Sequence, residues 1–126
     1  VLVNTDTNMT NEIFNQRVKN LKIDSIKHHI FLCCGKEKDG CCQTNDGEEV
    51  WSYLKKRIAE LFPDGSVNRS RVGCLRICAK GPIAVIYPSG TWYHSCDKKN
   101  LDRIIEEHLV DGNIVKELCF NPEKAL

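Results

Sequence analysis

Cys33 with Cys42, and Cys74 with Cys78, are the residues whose type and spacing point to chemistry. Cys74 and Cys78 flank three residues in the run Gly73-Cys74-Leu75-Arg76-Ile77-Cys78, a loop able to wrap one metal ion from two sides. Cys33 closes a short apolar run and Cys42 stands just before a helical pattern, places where backbone is fixed while a side chain can project. Four thiolates drawn from two separate loops make a site for a soft metal or an iron–sulfur cluster. Glycines at 35, 40 and 73 would let the chain approach such a group closely and turn N–H groups toward it.

The rest of the composition narrows the field. Eight cysteines form an even number, which raises a disulfide framework. Against that, 126 residues suffice for one domain with its own core, and four of the cysteines stand as vicinal pairs, Cys33-Cys34 and Cys41-Cys42. The opening residues show neither the basic region nor the apolar stretch of a secretory signal, so reduced thiols in a cytoplasmic protein are expected. Cys34, Cys41, Cys96 and Cys119 read as small side chains that are buried or partly exposed. Net charge is +1, from 18 basic and 17 acidic residues, which argues against nucleic acid or an anionic membrane as partner. No apolar run approaches the roughly 20 residues of a bilayer span. No Ser-His-Asp set, phosphate-cradling glycine motif or carboxylate pair stands out, so an enzyme is not expected. No histidine sits in either cysteine loop, as a Rieske-type centre would require.

The elements that position these sulfurs follow from periodicity. Residues 1–27 form a polar arm, read as either a short amphipathic helix or a flexible segment, and 28–126 form the domain proper. His29-Ile30-Phe31-Leu32-Cys33 reads as a buried strand. Gly47 to Phe62 turns helical, with Val50, Leu54, Ile58 and Leu61 on one face, Asn45 or Asp46 as cap and Pro63-Asp64-Gly65 as stop. Ser66 to Gly73 is extended. Ile83 to Tyr87 is a strong strand signal, and Pro88-Ser89-Gly90 turns it into a returning strand, Thr91 to His94. A second helix opens at Lys99 or Asn100, points Leu101, Ile104, Ile105, His108 and Leu109 inward, and ends at Asp111-Gly112. The order predicts an α/β sandwich on a mixed sheet, a parallel crossover first and an antiparallel hairpin afterwards. The apolar tail residues Ile114, Val115, Leu118 and Phe120 are expected to pack back on the domain.

The strand ending at Cys33, the loop from Gly73 to Cys78, and the run Gly81-Pro82 through Tyr87-Pro88-Ser89-Gly90-Thr91-Trp92-Tyr93 together resemble the thioredoxin-like 2Fe–2S ferredoxins. The match covers about residues 29–120. The resemblance implies a thioredoxin-like fold with a mixed central sheet of about four strands flanked by helices, one 2Fe–2S cluster near the surface, and one-electron transfer. It implies Cys33, Cys42, Cys74 and Cys78 as ligands, with Cys42 chosen over Cys41 because it lies nine positions before the aromatic Trp51. Only eight residues separate the first two ligands, fewer than in some members. It also suggests a homodimer. A Cys-x-x-Cys motif is absent, so disulfide exchange is not implied. Arg69, Arg71, Arg76 and Lys80, in a stretch without acids, are expected either to offset an anionic cluster or to form a basic rim for an acidic redox partner, a reductase or electron acceptor. The alternatives are a zinc-bound four-cysteine module and an iron–sulfur redox sensor.

Overall fold

The computed structural model describes residues 5–33, 44–77 and 79–121. Strand β1 (His28–Cys33) is central, flanked by β2 (Val67–Val72) in parallel and β3 (Ala84–Tyr87) antiparallel, with β4 (Thr91–Tyr93) pairing β3 to give the order β2-β1-β3-β4. This is the expected mixed sheet, and helix α2 (Thr44–Leu61) supplies the crossover between β1 and β2. Gly90, at φ 70°, closes the β3–β4 hairpin.

Alternation along the strands sends Ile30, Leu32, Ala84, Ile86 and Tyr93 into one core with Val50, Leu54 and Ile58 of α2. The same core takes Leu101 of α3 (Lys98–Arg103) and Ile104, Ile105 and Leu109 of the π-helical segment Ile104–Val110 that continues it. The two helices are clamped to each other where Tyr53 Oη donates to Asp102 at 2.9 Å and Arg57 Nε reaches the same carboxylate at 3.1 Å. In the other direction His29 stacks on Phe31 with ring centroids 4.2 Å apart, and Phe31 meets Tyr87 edge-on.

Two boundaries differ from expectation, both at helix starts. Helix α2 begins at Thr44, so Asn45 and Asp46 lie inside its first turn, past the position expected for a cap. Helix α3 begins at Lys98 because Asp97 caps it, its side chain accepting from the Asn100 N–H at 2.8 Å. Gly112, at φ 78°, ends the π-helical segment as expected. Within the N-terminal stretch, helix α1 spans Thr5–Leu21, with Met9, Ile13, Phe14, Val18 and Leu21 exposed. The tail does pack back. Val115 and Leu118 are buried, Ile114 is exposed, and the Phe120 N–H donates to the Trp92 carbonyl at 3.0 Å, so the tail lies along β4.

Candidate metal centre

The parallel register decides which residues meet. Cys33 stands opposite Val72, so Gly73 and Cys74 emerge beside Cys33 at the carboxyl ends of both strands. The lead-in to β3 arrives at the same end, where the Cys33 N–H donates to the Ile83 carbonyl at 2.9 Å. Cys33 is buried and Cys74 is exposed. The Cys33 thiol donates to the Gly73 carbonyl at 3.9 Å, a long contact that still ties strand end to loop. Beneath them Ile83 is fully buried, with Val72, Leu75, Trp92 and Phe120 packed around it and Cys33.

Backbone conformation aims a donor at one of these sulfurs. Arg76 has φ 69°, a left-handed conformation costing on the order of 1 kcal/mol for a residue with a Cβ. There its N–H points at Cys74 Sγ, 3.1 Å away. Lys80 and Ser95 are left-handed too, and they are joined: the Ser95 N–H donates to the Lys80 carbonyl at 2.6 Å, and the Cys96 N–H donates to the Pro82 carbonyl at 2.9 Å. The segment leading into β3 is thereby fastened to the segment leaving β4. Gly73 has no positive φ, and a Cβ there would meet no described atom within 4 Å, so the chain's own packing does not demand glycine at that position.

Helix α2 is tied to this end of the sheet. Glu48, near its start, pairs with Arg71, next to the end of β2, so the positive pole of the helix lies toward the cysteine loop. Arg69 lies over the Trp51 ring, 5.6 Å from its centroid. The expected basic rim is therefore smaller than four residues. Two of its cations are engaged within the fold, while Arg76 and Lys80 are exposed.

Of the four expected ligands, Cys33 and Cys74 are brought to one end of the sheet. Cys42 and Cys78, like Cys34, Cys41, Gly35 and Gly40, lie outside the described residues. Cys96 is fully buried and burial pushes its thiol pKa well up, which holds it protonated. Cys119 is half-buried and its thiol donates to Asn121 Oδ1 at 3.3 Å. Both behave as the small packed side chains expected. The Arg76 N–H donor was not visible in the sequence, because a left-handed arginine carries no glycine or asparagine signature. One buried and one exposed cysteine sulfur, on two fixed strand ends with a backbone donor on the exposed one, fit a thiolate-held group at this position.

The thioredoxin-like 2Fe–2S ferredoxin family model matches residues 19–109. A 2Fe–2S ferredoxin from Clostridium pasteurianum is 36% identical over 98 residues, covering 73% of this chain and 94% of that protein. A 2Fe–2S ferredoxin from Aquifex aeolicus (strain VF5) is 29% identical over 103 residues, covering 76% of this chain and 91% of that one. A crystal structure of the thioredoxin-like 2Fe–2S ferredoxin from Aquifex aeolicus superposes with a TM-score of 0.67 at 27% identity, covering 77% of this chain and 99% of its own. The chain belongs to the thioredoxin-like 2Fe–2S ferredoxin family, and its fold is thioredoxin-like.

Proposed function

We propose that this protein carries single electrons on a 2Fe–2S cluster held by Cys33, Cys42, Cys74 and Cys78, and that it is a carrier and not an enzyme. Family membership outweighs the zinc module and the redox sensor as readings of the four cysteines. The observation that carries the ligand assignment is the β1–β2 register, which sets Cys33 and the Cys74 loop side by side. Cys42 and Cys78 enter by the family resemblance.

When bound, the cluster supplies one-electron redox chemistry. The chain's own residues adjust the charge around it. The Arg76 N–H donates to Cys74 Sγ and so favours negative charge on that sulfur, easing uptake of an electron. The pole of α2 acts in the same sense. Arg76 and Lys80 present exposed positive charge in the chain segment that follows Cys74, which suits an acidic redox partner. The proposal includes the division into an arm (1–27) and a domain (28–126), a cytoplasmic setting with reduced thiols, and pairing into a homodimer. No helix among the described residues is long and apolar enough to cross a membrane.

Anaerobically purified protein should be red-brown and contain iron and acid-labile sulfide. Colourless protein holding zinc alone overturns the reading. Alanine at Cys33, Cys42, Cys74 or Cys78, each singly, should abolish the visible spectrum or make it unstable. Loss of the spectrum in Cys41→Ala with retention in Cys42→Ala would reassign the second ligand. A sedimentation coefficient matching a single chain would remove the homodimer.

A further inference from the structure

An apolar groove opens beside the cysteine loop, lined by Ile77, Trp92, Phe120 and Asn121. Ile77 lies between Cys74 and Cys78 in sequence and is 44% exposed, a large aliphatic side chain left in water. Its neighbours are held in place. Trp92 and Phe120 are both half-buried and meet edge-on with ring centroids 6.2 Å apart. Asn121 fixes the floor, its Oδ1 accepting from the Trp92 N–H at 2.7 Å and its Nδ2 donating to the Gly90 carbonyl at 2.8 Å. Arg76 and Lys80 are exposed close by in the chain, and among the described residues no ion pair joins either to an acid. An exposed aliphatic residue near a rigid aromatic pair, flanked by charge of one sign, has the make-up of a small interface core.

We propose that this groove seats an acidic redox partner protein, which inserts an apolar side chain beside Ile77, Trp92 and Phe120 while its carboxylates meet Arg76 and Lys80. The inference rests on the carrier reading above and names the surface that reading uses. Charge acts over a Debye length and sets the rate of approach, whereas apolar contact acts only on touching and sets how long the pair stays docked. The contact is made by the residue immediately before Cys78, so docking there brings the partner's redox centre close to the candidate ligands. One electron leaves the reduced partner and one is gained by this protein.

The test uses the cluster-loaded full chain and an acidic flavodoxin held fully reduced, with bleaching of the visible absorption followed by stopped flow. Ile77→Ser should lower the second-order rate about tenfold at both low and high salt. Ile77→Leu should restore it, and reduction by dithionite and the midpoint potential should stay at wild-type values. A wild-type rate with flavodoxin in Ile77→Ser overturns the groove. An equal slowing with dithionite also overturns it, because Ile77 then acts on the cluster and not on the partner. Failure of the carrier reading shows separately, as protein without iron before any partner is added.

Discussion

At the scale of residues, the basic stretch 69–80 divides into two kinds of cation. Arg69 rests on Trp51 and Arg71 pairs with Glu48, so their charges serve to place β2 against α2. Arg76, two residues after Cys74, and Lys80, six after it, are exposed. Reversing the second pair, Arg76→Glu with Lys80→Glu, should therefore slow reduction by an acidic partner severalfold at low ionic strength and much less at high salt. The visible spectrum should be retained, since the Arg76 contact to Cys74 Sγ comes from the backbone. Stopped-flow rates across a salt series check this, and an equal rate for the variant at low salt would remove the steering role. The difference from Ile77→Ser is diagnostic: a charge effect fades with salt, and an apolar one does not.

At the scale of elements, the cap of α3 is the most exposed point of failure. Asp97 accepts from the Asn100 N–H at 2.8 Å, and the helix it opens carries Leu101, Ile104, Ile105 and Leu109 into the core. Asp97→Ala should cost about 1 kcal/mol and lower the melting temperature by a few degrees, while Asp97→Asn, which keeps an acceptor, should lose little. Equal losses in the two variants would assign the effect to charge. The element order, the mixed pairing and the hairpin were all legible in the sequence, because the apolar run Ile83 to Tyr87 ending in a Pro-Ser-Gly turn and the four-residue spacing from Val50 to Ile58 each have a direct physical reading. The cap was not, since Asp97 stands in a run of polar residues where several could serve. Nor was the π-helical segment, because Leu101, Ile104, Ile105, His108 and Leu109 give the same inward face to an α-helix. For the site, Cys33 and Cys74 could be selected from spacing and strand ends, but the left-handed Arg76 and the Ile77 groove arise from loop conformation and from a tail far away in sequence.

At the scale of the whole molecule, the two ends of the sheet are built for different charges. The end at Cys33 favours anions. The other end of β1, roughly 17 Å away at strand rise, holds neutral histidines. His108 is almost wholly buried and its Nδ1 lies 2.7 Å from Tyr93 Oη. Burial pushes the Tyr93 pKa up to about 12, so its hydroxyl stays protonated, and Tyr93 Oη accepts from the Val115 N–H at 3.1 Å while sharing the hydrogen bond with His108. His28 meets His108 edge-on at 5.7 Å, and its Nδ1 is buried with no partner among the described residues. Burial lowers the pKa of His28, His29 and His108 below their ordinary value near 6.5, with Lys27 adding to the effect on His28 and His28 adding to that on His108. In the unfolded chain these rings take up protons as pH falls through about 6.5, while in the fold they resist until lower pH. Between those limits the unfolded state binds more protons, so stability is full above about pH 7 and falls as the solution is acidified. The melting temperature should drop steadily from about pH 7 to about pH 5, and His108→Gln, which removes the proton site, should flatten that dependence. Melting followed by far-UV dichroism, beside the visible absorption that reports the other end of the sheet, separates unfolding from loss of the cluster. Identical pH slopes in the wild type and in His108→Gln would show that the histidine end does not set the acid limit of the fold.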